Sequence, residues 1–277
     1  MRIDLAFDPQ TGAWNGLTAG EYALVVAPTD EVRANTSPQA FPQPNEWRLL
    51  SVERRGNTTE VTRQAGDWWM RQTFAVSGSG IHRDVILRWN GNEPVRIAGV
   101  LLRTPVLRLS GNPEDYYLIP GEFPTVRHRF GRLRIGSVLQ ETGWTRGEYG
   151  IALVHSPQRK LSVVAGYVFR IDQARVGVEE AQKGVVLRHG FETLLKLPKG
   201  GEVTVGTQVI EVISGDEERL REELSRFSDM LDNGPPADLP EHLKGSSIYE
   251  LHPWGRLETW WAGDRGNRFP RLTALLP

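Results

Sequence analysis

The chain has 277 residues, 39% apolar and 24% charged, with 33 Lys plus Arg against 34 Asp plus Glu. That length admits one large all-β domain or two smaller ones, and a net charge of −1 argues against nucleic acid or an anionic membrane surface as partner, since both require a basic face. With no cysteine, disulfides, thiolate metal sites and a cysteine nucleophile are excluded.

The N-terminus, Met1 to Asp8, holds no apolar stretch long enough for a signal peptide, and no segment has the length and polarity of a membrane span. The expected location is the cytoplasm. Ile3, Leu5 and Phe7 alternate with polar or small residues, which predicts a strand. Asp8-Pro9-Gln10-Thr11-Gly12 supplies a turn, and Ala13 to Leu17 reads as the returning strand. Tyr22 to Ala27 is a further apolar run. Thr29 to Pro44, polar and broken by Pro38, Pro42 and Pro44, reads as a surface loop. Strands are expected at Trp47 to Val52, Glu60 to Gln64, Trp68 to Val76, His82 to Trp89, Val95 to Leu102 and Val106 to Leu109. In the His82 to Trp89 segment Val85, Leu87 and Trp89 share a face, with Arg83, Asp84, Ile86 and Arg88 interleaved. Many short strands with regular punctuation and almost no helical period predict a sandwich of antiparallel sheets.

Gly111 to Pro124 reads as a loop carrying Asp115, Tyr116, Tyr117, Glu122 and Phe123. The β pattern resumes over Leu133 to Leu139, Gly150 to His155, Leu161 to Ile171, Val185 to Arg188, Glu192 to Leu197 and Glu202 to Ile213. Then the period changes. Leu220, Leu224, Phe227 and Leu231 form a helical stripe. Ser214 stands three residues before Glu217, the spacing of a capping box. Glu217 with Arg221, and Glu222 with Arg226, are expected i,i+4 pairs. Asn233-Gly234-Pro235-Pro236 ends the helix.

The last segment opens a different pattern. Ile248-Tyr249-Glu250-Leu251-His252 reads as a strand, Trp254 to Arg268 as a Trp- and Gly-rich loop, and Phe269, Leu272 and Leu276 fall at helical spacing. Strand, loop and helix start form one opening unit of a repeating β/α fold, which cannot bury its own apolar surface. The expected organisation is a sandwich over 1–213, a linker helix and loop over 214–247, and an incomplete barrel opening over 248–277, the front part of a larger protein.

Two resemblances bear on function. Ile3 to Leu17, IDLAFDPQTGAWNGL, resembles the first hairpin of the large β-supersandwich domains, of the galactose-mutarotase-like type, that precede the barrel in several glycoside hydrolases, α-galactosidase-like ones among them. The order of sandwich, connecting helix and barrel opening is similar too. The tail, Ile248 to His252 with Gly263-Asp264-Arg265-Gly266 and Phe269 to Pro277, resembles the first strand, loop and helix of α-amylase-superfamily barrels; His252-Pro253-Trp254-Gly255 departs from their commonest form. The tail resemblance implies a retaining, α-amylase-like parent enzyme acting on α-glucosidic oligo- or polysaccharides through a carboxylate nucleophile and a carboxylic acid. Its catalytic carboxylates sit on later barrel strands, so no catalytic residue is assigned here and the chain itself is expected to be inactive. A stand-alone carbohydrate-binding module and a docking or dimerisation module remain open as alternatives.

The six histidines lack metal-site spacing, so no metal and no cofactor is expected. The acidic loop Asn112 to Asp115 reads as a solvated turn rather than a Ca²⁺ site. Arg127, Arg129, Arg132 and Arg134 read as one solvated face. The candidate sugar platforms are aromatic: Trp68 and Trp69, Tyr116 and Tyr117, and Trp254, Trp260 and Trp261 of the tail. Trp68 and Trp69 are neighbours in a strand, so their rings point to opposite faces, one to the core and one outward. The expected partners are an oligosaccharide, the barrel that the tail begins, and a second copy of the chain.

Overall fold

The computed structural model describes residues 1–119, 127–130, 138–142, 150–168 and 174–231. They belong to one compact unit, Met1–Asp232. The expected barrel opening, with Trp254, Trp260 and Trp261, lies outside the described residues.

The fold is mainly β, and all described strand pairs are antiparallel. Among the described residues the larger sheet has nine strands. It runs in the order His128–Arg129, Tyr116–Leu118, Ala152–Ser156, Leu161–Val168, Glu202–Ser214, Gly80–Trp89, Trp68–Ser77, Thr58–Ala65 and Arg48–Arg55. The second sheet follows the order Val138–Thr142, Ala174–Ala181, Gly184–Phe191, Val95–Arg103 and Leu195–Leu197, and Val32–Ser37 also pairs with Val95–Arg103. A small third sheet joins Ile3–Phe7, Trp14–Ala19 and Tyr22–Ala23. The Asp8 turn forms as its residues dictate. Asp8 Oδ1 accepts from the amides of Gln10 at 2.9 Å and Thr11 at 2.7 Å, and Gly12 takes φ +67°.

Alternation drives the core. Ile81, Val85 and Leu87 point inward from one sheet, and Val176, Val178, Val185 and Leu187 from the other; all are at most 1% exposed. Among the described residues the apolar side chains buried between the sheets fall into two clusters. Ile81, Phe74, Val61, Ile210 and Leu187 belong to one. Val85, Met70, Ala65, Val205 and Phe191 belong to the other. A polar layer separates them. Arg63, Gln72, Arg83, Gln208 and His189 each lie in sequence between a residue of the first cluster and one of the second, and each points inward.

The helix Glu217–Leu231 is not a free linker. Leu220, Phe227 and Leu231 are buried against Val164, Val209 and Ile213 on the outer face of the nine-stranded sheet, with Leu224 partly buried beside them. The compact unit therefore runs past residue 213 to Asp232. The helix rests on Gly166, where a Cβ would meet Leu231 Cδ1 at 2.4 Å and Phe227 Cε1 at 2.7 Å. Its start is capped by Asp216 rather than Ser214. Asp216 Oδ1 accepts from the Arg219 amide at 3.2 Å, while Ser214 still belongs to the preceding strand. Its ion pairs also differ from the expected ones: Arg219 meets Glu222 and Glu223, and Arg226 meets Glu223 and Glu211.

Two segments expected to be loops hold strands. Val32–Ser37 lies within the polar Thr29 to Pro44 stretch, and Tyr116–Leu118 within Gly111 to Pro124. Both are short, and tertiary pairing outweighs their turn-like composition. Asp115 is 1% exposed, not a solvated turn residue. It accepts from the Ser110 amide at 3.0 Å, the Gly111 amide at 2.9 Å and the Ser110 hydroxyl at 2.7 Å, which engages the oxygens that a cation would need.

Candidate functional site: an aromatic patch outside and a charged layer within

The four aromatic candidates among the described residues, Trp68, Trp69, Tyr116 and Tyr117, separate sharply. Trp68 is 1% exposed and packs its ring against Phe41 and Trp89, with centroids 5.2 and 5.0 Å away. It anchors the second apolar cluster and offers no ring face to a sugar. Tyr116 and Tyr117, at 2% and 0% exposure, are not platforms either. Tyr116 lies against His155 and donates to Glu217 Oε1 at 3.2 Å. Burial first, then the nearby Glu217 carboxylate, pushes its hydroxyl up to about 12. Tyr117 donates to Glu180 Oε1 at 2.7 Å and stacks on His128; burial and that bond push its hydroxyl well above the usual tyrosine range. Arg127 and Arg129 sit beside Tyr116 and pair with Glu217 and Glu114.

Trp69 is different. Strand alternation turns it to the outer face of the nine-stranded sheet, and it is partly exposed. Register places Gln64 on one side of it and Arg88 on the other, with Glu202 beyond Arg88. The Arg88 guanidinium lies 4.7 Å from the Trp69 ring centroid, and that of Arg71 lies 5.8 Å away. Arg88 is itself paired with Glu202. The patch thus combines an indole, two guanidiniums and a carboxylate along one cross-strand row and its neighbour. An indole packs on flat C–H surfaces, and the charged groups hydrogen-bond hydroxyls.

No local pattern in the sequence marks the interior layer. Glu31, 3% exposed, is its centre. Oε1 accepts from the Trp14 amide at 2.6 Å and from Arg63 at 2.9 Å; Oε2 accepts from Gln72 at 3.0 Å. Arg83 donates to Gln72 Oε1 at 2.6 Å, to Gln208 Oε1 at 3.1 Å and to the Arg103 carbonyl at 2.9 Å. Gln208 and His189 carry the chain of bonds to the second sheet, 3.0 Å apart. Burial lowers Arg83 to about 10. Burial alone raises the Glu31 carboxyl, but Arg63 and Arg83 beside it hold it below the usual carboxylate range. Burial pushes the His189 imidazole down to about 3. Each group is enclosed and has at least one partner within the layer, and these bonds join the two sheets.

A second charged cluster lies on the outer face of the other sheet. Arg103 bonds Glu179 Oε1 at 2.7 Å and pairs with Asp30, which also meets Arg33. A hollow of about 340 Å³ lined by Asp8, Thr11, Asn15 and Val25 has its one carboxylate engaged by the Asp8 turn. Among the described residues no group of three or more His, Asp or Glu is arranged to hold a metal ion, and no helix is long and apolar enough to cross a membrane.

No protein-family model and no curated protein sequence matches the chain. Solved structures do. A protein from Synechocystis sp. PCC 6803 superposes with a TM-score of 0.52 at 10% identity, covering 76% of this chain and 91% of that one. A galactose mutarotase-like protein from Lactobacillus casei gives 0.50 at 10% identity, covering 76% and 97%. A GH36 α-galactosidase from Geobacillus stearothermophilus gives 0.47 at 12% identity, and the matched region spans 30% of its length. At such identities the likeness is one of fold: this chain is a galactose-mutarotase-like β-sandwich.

Proposed function

We propose that this sandwich is a non-catalytic, carbohydrate-contacting N-terminal domain of a glycoside hydrolase, with Trp69 as its sugar platform. The observation that carries the reading is the Trp69 patch, a partly exposed indole flanked by Arg88 and Arg71 and followed by Glu202. A pyranose presents a flat C–H face to an indole and vicinal hydroxyls to guanidinium and carboxylate groups. The first hairpin's resemblance to hydrolase supersandwich domains supports the same reading. So does the closed interior, which keeps Glu31 and His189 from reacting with a substrate.

The α-amylase-like, α-glucosidic assignment is the finer part of this proposal. It rests on the tail's resemblance alone, within residues 248–277. Titration of tryptophan fluorescence with galactosides and with maltooligosaccharides tests both levels. A response to either that is abolished by Trp69→Ala supports the platform, and the sugar that elicits it decides between α-galactosidic and α-glucosidic parents. A flat response to all sugars, or one that survives Trp69→Ala, refutes the platform. The chain as given is expected to show no turnover of nitrophenyl glycosides.

A further inference from the structure

We propose that the Arg48–Arg55 strand is the pairing edge for a second copy of this chain, joined antiparallel across a two-fold axis between Leu50 and Ser51. The strand ends the nine-stranded order and pairs on one side with Thr58–Ala65; among the described residues no strand pairs with its other side. An open edge presents a row of backbone donors and acceptors to any strand that matches it. This edge also exposes two large apolar side chains, Leu50 at 52% and Val52 at 39%.

The register follows from backbone direction and charge. The hairpin closes on Arg55 opposite Thr58. In a two-residue hairpin the closing pair is hydrogen-bonded, so Arg55 and Glu53 turn their backbone groups inward and Arg54 and Val52 turn theirs outward. A register shift between Leu49 and Ser51 moves the alternation by one, and Leu49, opposite Arg63, again faces outward. A bulge commonly protects an edge; here it leaves Leu49 and Val52 both available. A two-fold between Leu50 and Ser51 sets Leu49 of one copy against Val52 of the other, twice. The same axis sets Arg48 against Glu53, twice.

Competing registers fare worse. Pairing Leu49 with Arg54 sets Arg48 against Arg55, and pairing Val52 with Arg54 sets Glu53 against itself, both like-charge contacts. Pairing Val52 with itself sets no opposite charges together. The existing contact of Glu53 with Arg55 is exposed and yields readily to a better partner.

Sedimentation equilibrium on the full chain tests the proposal. The wild type should show a mass of twice 31.1 kDa. Arg48→Glu and Glu53→Arg, each turning two attractions into repulsions, should each weaken the dimer by on the order of tenfold. The double variant Arg48→Glu/Glu53→Arg should restore it. Circular dichroism should be unchanged in all of them, because both side chains are exposed. A monomeric wild type, as when another segment of the chain covers this edge, overturns the proposal. So does a dimer indifferent to the single changes, or a double variant as weak as the singles.

Discussion

Between the two sheets the Arg83 guanidinium lies 3.4 Å from the Glu31 carboxylate, and both side chains are closed off from solvent. Two guanidiniums, Arg63 and Arg83, share that one carboxylate. Removing the shared partner is therefore worse than removing either cation. Glu31→Gln should cost about 3–5 kcal/mol, since it leaves two buried charges uncompensated. Arg83→Met should cost less, because Glu31 keeps Arg63 and Gln72. Urea denaturation of the two variants checks the order; equal losses would show that the layer is not centred on Glu31.

The same layer sets a pH dependence. His189 is held at about 3 when folded, against 6.5 in the unfolded chain, so the unfolded state binds its proton first. Its contribution is complete above pH 6.5 and is lost as pH falls toward 3, with a slope of about 1.4 kcal/mol per pH unit. His155, also lowered by burial, adds to the loss in the same direction. The Glu31 contribution, from a carboxyl held below its unfolded value of 4.5, starts to be lost only as pH falls below 4.5. Urea midpoints between pH 7.5 and 5 should fall for the wild type and fall less steeply for His189→Gln.

Adjacent tryptophans should respond differently to truncation. Trp68→Ala opens a cavity among Phe41, Trp89 and Met70 and should cost about 3–5 kcal/mol. Trp69→Ala removes a partly exposed ring and should stay within about 1 kcal/mol. Denaturation midpoints of the two variants measure the contrast, and equal losses would place both rings in the core.

Gly166 sets the seat of the helix. Gly166→Ala drives a methyl into Leu231 and Phe227 and should cost about 1–3 kcal/mol. The strain falls on the helix contact, so tryptic cleavage at Arg219, Arg221 and Arg226 should accelerate before the sheets unfold. An unchanged cleavage rate would mean that the helix is held by its other contacts alone.

Alternating apolar residues and Gly- or Asp-rich turns were enough to establish an antiparallel sandwich, its first hairpin, the helix stripe from Leu220 to Leu231, and the opposite faces of Trp68 and Trp69. These are local properties, fixed by a strand period of two and a helix period of 3.6. The tertiary structure alone decided the rest. Glu31 sits in a stretch that reads as a loop, and Arg83 shares the inward face of Val85 and Leu87 although a charge reads as solvent-facing. Arg63, Gln72, His189 and Gln208 come from four further strands. Which polar residues are buried depends on what lies across the sheet, because a charge leaves water only where partners from other segments replace its hydration. Tyr116 and Tyr117 follow the same rule: Glu217 and Glu180, distant in sequence, meet their hydroxyls, while Trp69 keeps an open side.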